Sequence, residues 1–183
     1  MNKGGFILKN GVTPTRINGK LYEFPTTMVN AIKNCRDVNI HANCTWIMGY
    51  PGEALQHLQT SVAFILWQQQ FWTDGILPET VEYQRLNDGV NQQMFTATAY
   101  PGTAMWNVVR PKLTRHFDIS FDKLGHPICD DKFHNYVLEL DDATKVLNNK
   151  NGEPVNFGEL SMEQFLEARE HIDNNNIEKI LEM

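Results

Sequence analysis

Between Val38 and Trp46 apolar and polar residues alternate without a break. Val38, Ile40, Ala42, Cys44 and Trp46 fall on one face of an extended chain, and Asn39, His41, Asn43 and Thr45 fall on the other. A period of two sustained over that length suits a half-buried β-strand. Tyr50-Pro51-Gly52 then turns the chain into its longest helical pattern, about Glu53 to Trp72, where Leu55, Leu58, Val62, Ile65 and Trp72 recur at helical spacing. Phe64, Leu66, Trp67 and Phe71 widen that stripe until it suits a helix packed on a sheet. The expectation is that Val38, Ile40, Ala42 and Cys44 are buried against the helix.

Elsewhere the turn residues predict hairpins. Asn10-Gly11 follows Phe6-Ile7-Leu8, and Asn18-Gly19 separates Arg16-Ile17 from Lys20-Leu21-Tyr22. Asn-Gly supplies the positive φ angles of a tight hairpin turn. Beyond Pro25, Thr26 or Thr27 is expected to cap a helix through about Cys35, with Met28, Ile32 and Cys35 on one side. A further hairpin is read over Thr80 to Leu86 and Val90 to Tyr100, about Asn87-Asp88-Gly89. A short helix after Thr103 is expected to break at Pro111. Strands are read at Phe117-Ile119-Phe121 and from Phe133 to Leu140. At the C-terminus Ser161 and Gln164 form a capping box ahead of Phe165, Leu166, Ala168 and Ile172, and a final short helix carries Ile177, Ile180 and Leu181.

The fold class predicted is α+β: an antiparallel or mixed sheet built from hairpins, packed by one long central helix, with an acidic helical C-terminal appendage. A chain of 183 residues with 42% hydrophobic and 21% charged residues suits one ordinary domain. The core is assigned to residues 1–150, and residues 151–183 to an acidic segment packed on that core or on a partner. The net charge of −6 lies in this segment, since acids and bases balance before it. Glu153, Glu159, Glu163, Glu167, Glu170, Asp173, Glu178 and Glu182 there face only Arg169 and Lys179. Phosphate binding needs the opposite balance, so a nucleic-acid partner is not expected. An amphipathic acidic helix pair instead suits docking on a basic groove.

No apolar run follows Met1-Asn2-Lys3, and Val62 to Trp67 falls far short of the ~20 residues of a membrane span. Three cysteines, an odd number, fit a reducing compartment better than a disulfide framework. A cytoplasmic protein, or one carried in a virion, is therefore expected. Two Tyr-Pro-Gly triplets, at Tyr50 and Tyr100, each precede a helix-like run. They read either as the trace of an internal duplication or, more plainly, as a common turn used twice.

Candidate chemistry is sparse. Cys35, His41 and Cys44, with His126, Cys129 and His134, hold the ligand types zinc prefers, but their spacing fits no common zinc motif. Strand geometry also points Cys44 and His41 to opposite faces, so no metal is expected at Cys35, His41 and Cys44. Cys129 is a weak nucleophile candidate, because Asp130 and Asp131 beside it oppose a thiolate. Asp118, Ser120 and Asp122 share one face of the strand read there. With His126, Cys129 and His134 the two aspartates make the candidate catalytic set of a small hydrolase or transferase. Arg110, Lys112, Arg115 and His116 form a short basic stretch suited to a phosphate or an acidic partner. No phosphate loop, dinucleotide fingerprint, nucleophile elbow or His-Glu-x-x-His motif occurs, and no cofactor is expected. Trp67, Phe71, Trp72, Phe165, Ile177 and Leu181 are the candidate interface anchors. The leading expectation is a non-enzymatic assembly or interaction protein, such as a virion or phage-type component or a protein docking on a larger complex, with a protein partner or self-association making it an oligomer.

Overall fold

A computed structural model of the chain describes residues 11–87, 90–141 and 146–183. Its first described element is a hairpin of β1 (Val12–Ile17) and β2 (Lys20–Pro25). Asn18 and Gly19 make its two-residue turn at φ 47° and 80°, the left-handed pair that matches the strands' own twist. Residues 6–10, expected to pair with this strand, lie outside the described residues.

Helix α1 (Thr26–Asp37) follows without a side-chain cap. Thr26, expected as a capping residue, lies 3.1 Å hydroxyl to hydroxyl from Thr13 instead. The far end of α1 overturns part of the strand expectation. Asn39 sits at φ 55°, its N–H donating to Arg36 O (3.0 Å) and that of Ile40 to Cys35 O (2.8 Å). This is the paired bonding of a Schellman motif, with Asn in the left-handed position usually given to Gly. The motif consumes Val38 to Ile40, so Val38 and Ile40 are exposed and not core residues. Strand β3 is Ala42–Met48, and along it the alternation holds: Ala42, Cys44 and Trp46 turn inward, Asn43, Thr45 and Ile47 outward.

Helix α2 (Leu55–Thr73) buries Leu58, Val62, Ala63, Phe64, Ile65, Gln68 and Trp72. Among the described residues the expected hairpin after it does not form. Thr80 accepts a hydrogen bond from the N–H of Tyr83 and launches α3 (Val81–Asn87). Strand β4 (Val90–Thr96) runs parallel to β3, with Ile47 opposite Phe95. Parallel neighbours need a crossover, which α2 and α3 supply. Among the described residues the strands thus form two separate two-stranded sheets, one antiparallel and one parallel, in a mixed α/β chain.

Helix α4 (Ala104–Phe117) passes through Pro111 and does not break there. An interior proline costs about 3 kcal/mol, which burial of Met105, Trp106, Val109 and Leu113 at roughly 1.5–3 kcal/mol each outweighs. The segment after it is no strand. Asp118 closes the helix in the left-handed region, Ile119 is buried, and Phe121 forms one isolated bridge with Pro127. Phe133 to Leu140 is likewise helical, as α5 (Asp131–Leu138) and a 3-10 turn over Glu139–Asp141. Asp130 caps α5 by accepting the N–H groups of Lys132 and Phe133. Phe133, Tyr136 and Leu140 follow helical spacing onto the cluster of Trp106, Leu113 and Phe157.

The C-terminal segment packs on the rest of the same chain. The Ser161–Gln164 capping box forms and starts α6 (Met162–Asp173), followed by a 3-10 turn over Ile177–Leu181. Phe165, Ala168 and Ile180 are buried against Met48, Leu58 and Val62. Gln59 donates to Ile180 O, and Arg169 donates to Met94 O. All eight acids of the segment stand exposed. Ile180→Ala should therefore cost the folded chain about 2–5 kcal/mol. Chemical denaturation reads this as a lower midpoint with an unchanged slope, and a cost under ~0.5 kcal/mol contradicts the packing.

Candidate functional site

The structure scatters the residues that chemistry would need together. Cys35 on α1 and Cys44 on β3 are half-buried beside the same apolar cluster, and His41 stands exposed ahead of β3. Burial pushes the Cys44 thiol up, against a thiolate ligand, while Gln68 Nε2 donates to its Sγ at 3.4 Å. Among the described residues no three His, Cys, Asp or Glu side chains are grouped to hold a metal ion.

The Asp118 to His134 residues lie on a turn and a helix, where lysines and backbone N–H groups occupy their carboxylates. Asp118 contacts Lys150 at 2.7 Å and Lys132 at 3.8 Å, and the Lys150 hydrogen bond holds its carboxyl below the usual range. Asp122 accepts the N–H groups of Leu124 and His126, both at 2.8 Å, which lowers its pKa, the His126 bond first. Its other oxygen lies 3.4 Å from Nδ1 of His126, itself largely exposed. Cys129 and His134 are exposed as well. Lys112, read as part of a basic patch, turns inward and donates to the carbonyls of Asn156, Phe157 and Gly158 at 3.2, 3.0 and 3.1 Å. Among the proposed interface anchors, Trp72 and Phe165 are wholly buried in the chain's own core. Trp67, Phe71, Ile177 and Leu181 are half-buried at its margin.

Two features converge instead at the carboxyl ends of β3 and β4. Because the strands are parallel, both Tyr-Pro-Gly triplets emerge at the same end. Each makes a turn closed by its own hydrogen bond, Glu53 N–H to Tyr50 O (2.8 Å) and Thr103 N–H to Tyr100 O (3.2 Å). Gly52 and Gly102 take φ 85° and 83°, the left-handed position that Pro-Gly supplies in a type II turn. One turn leads into α2 and the other into α4, whose first turn Thr103 caps. Tyr50, Tyr100, Ile47, Phe95, Thr98 and Met105 line an apolar groove of 370 Å³ between the turns.

Beneath it lies a polar junction that the sequence did not announce. Glu53, 2% exposed, accepts the N–H of Gly49 at 2.5 Å, and its own carbonyl accepts the N–H of Glu159 at 2.9 Å. Asn156 braces the facing segment, donating to Leu160 O and accepting from Gly158 N–H. Gly49 has φ 76°, and a Cβ there would stand 2.9 Å from the Phe165 ring. Burial raises the Glu53 carboxyl from its ordinary 4.5 to about 7, against the lowering effect of the Gly49 N–H. The one signal for it in the sequence is an acid directly behind a Tyr-Pro-Gly turn.

Comparison with protein-family models, with curated proteins and with solved structures finds no match for this chain. No helix among the described residues is long and apolar enough to cross a membrane.

A carboxyl whose folded pKa is raised binds its proton more tightly in the native state than when unfolded. The associated stability is full below about pH 4.5 and is lost as pH rises through about 7, on the order of 3 kcal/mol across that window. Glu53→Gln keeps an acceptor for Gly49 and removes the titration. Its denaturation midpoint should exceed that of the parent chain at pH 8 and match it near pH 4.5, whereas equal pH profiles would rule out a buried, titrating Glu53.

Proposed function

We propose that this chain is a non-enzymatic assembly protein, a subunit of the virion, phage or larger-complex kind, that packs the outward side of its β3–β4 pair on a second copy of itself. One observation carries the reading: Ile47 is 55% exposed on the open face of a parallel pair, beside Tyr50 and Tyr100 at 40% and 41%. Parallel strands are ordinarily covered on both faces. Here the inward face of β3 meets the core, and the outward face holds Ile47 and Phe95 side by side.

Charge favours a like partner at this surface. Among the described residues no charged side chain lines the groove. Two copies can thus meet there without like-charge repulsion, in the self-complementary contact of a two-fold dimer. Free thiols at Cys35, Cys44 and Cys129 suit a reducing setting inside a cell or a particle assembled there. The small hydrolase or transferase reading keeps one support, the 3.4 Å contact between Asp122 and His126.

Light scattering on eluting protein tests the assembly. The native mass is expected to be at least twice 21.0 kDa at micromolar concentration. Ile47→Glu, on a side chain already open to solvent, should return it to a monomer with unchanged circular dichroism. A monomer at every concentration, or an oligomer indifferent to Ile47→Glu, removes this reading.

A further inference from the structure

Strand β3 has two edges, and β4 takes only one of them. The N–H of Ala97 donates to Met48 O at 2.8 Å, so Met48 turns its polar backbone groups toward β4. In a parallel ladder the N–H and C=O of successive residues point alternately to the two sides. Cys44 and Trp46 therefore face β4 with Met48, while Asn43, Thr45 and Ile47 aim theirs at the opposite edge. Among the described residues no backbone group is paired with them there.

A bare strand edge invites pairing with another chain, and proteins blunt theirs with charge, proline or a covering group. The other described strands follow that rule. β1 carries Pro14 and Arg16, and β2 carries Lys20, Glu23 and Pro25. On the far edge of β4, Arg169 of α6 covers Met94 by donating to its carbonyl at 3.2 Å. The seven residues of β3, Ala42–Met48, include no charge and no proline. Asn43, Thr45 and Ile47 are exposed. Beside this edge α1 stands off, leaving an apolar gap of 260 Å³ lined by Met28, Ala31, Ile32, Cys44 and Thr45.

We propose that β3 of a second copy pairs antiparallel with this edge about Thr45, joining two β3–β4 pairs into one four-stranded sheet. In that register Thr45 lies opposite Thr45 and Asn43 opposite Ile47, and each such pair exchanges both of its N–H···O=C bonds. Every outward backbone group from Asn43 to Ile47 is then satisfied, and a facing Thr–Thr pair favours the strands further. Charge suits a copy as the occupant. β3 brings no charge to meet its own like, and the net charge of −6 lies in residues 151–183. Thr45 and Ile47 also line the groove between the Tyr-Pro-Gly turns, so the edge continues the surface assigned to self-association. The inference rests on that reading for its partner and adds a second two-fold contact, edge to edge beside face to face. Two different two-fold contacts on one chain carry assembly past the dimer. The edge is the weaker of them, because backbone bonds exchanged for bonds to water return little against the cost of association.

Amide hydrogen exchange of the full chain, read by nitrogen-15 NMR over a range of protein concentration, tests it. The N–H groups of Asn43, Thr45 and Ile47 should exchange freely in dilute protein and about tenfold slower or more once it assembles. Those of Cys44, Trp46 and Met48, bonded to β4 in either state, should change little and serve as the internal reference. Thr45→Pro removes an N–H that points away from β4, at an edge position where proline is tolerated. It should hold the light-scattering mass at the dimer while the unaltered chain grows past it. The exchange pattern of the unaltered chain decides the matter even if that variant does not fold. An assembled chain whose Asn43, Thr45 and Ile47 amides stay fast, or whose mass Thr45→Pro leaves unchanged, overturns the edge pairing and leaves self-association standing. Protection already complete in the dilute monomer overturns it as well, by showing the edge closed within one chain. A monomer at every concentration removes the assembly reading itself, and the edge pairing with it.

Discussion

The arrangement depends on the need to cover α2 on several sides. Leu58 and Val62 look toward Met48, Phe165 and Ile180, while Phe64 and Trp72 look toward Phe24, Val29 and Ile32. A helix this apolar around its circumference cannot sit on a surface, because each buried large side chain is worth roughly 1.5–3 kcal/mol over leaving it in water. The hairpin and α1 cover one flank, and α6 with the following 3-10 turn covers another. That demand explains why the C-terminal segment, which holds the chain's net negative charge, folds back on the rest of the chain. Phe165, Ala168 and Ile180 supply the cover, and their acidic neighbours remain in water, where mutual repulsion is screened.

The same demand leaves the β3–β4 pair underbuilt. Its inner face lies on the core and buries Met48 and Thr96, but no described strand extends either edge, and Ile47 stays open on the outer face. A two-stranded parallel sheet has little stability of its own. What holds its carboxyl end is the polar junction below, where Glu53 pins Gly49 and Asn156 pins the facing chain. Burying an acid there without a cationic partner disfavours its charged form. The Tyr50 turn is thereby tied to the C-terminal segment through the bond from Glu159 N–H to Glu53 O.

Legibility in the sequence followed how local each rule was. Asn18-Gly19, the alternation from Ala42 to Trp46 and the Ser161–Gln164 box act over a few residues, and each appears where its pattern places it. The failures came where a short segment had two local solutions. Val81–Asn87 and Asp131–Leu138 contain β-branched and aromatic residues that suit strands. Thr80 and Asp130, each accepting backbone N–H groups at a helix start, decide for helix. Asn39 ended α1 in a position that alternation alone assigned to a strand. The parallel pairing of β3 with β4 spans the whole of α2 and α3, so no neighbouring residue encodes it.

The candidate site was the least legible part, for a related reason. Polar residues that look like chemistry on paper are also what turns and helix ends require. Asp118, Asp122 and Asp130 meet that requirement here, bonded to lysines and to backbone N–H groups in open solvent. Two buried polar groups without such an explanation are Glu53, directly behind a Tyr-Pro-Gly turn, and Gln68, in the run Trp67-Gln68-Gln69-Gln70. Burial makes them unusual, and burial is a tertiary property that spacing does not reveal. Glu53 has backbone partners and therefore serves as a structural pin. Gln68 spends its donor on the Cys44 sulfur and leaves its acceptor unused, an arrangement with a cost in stability.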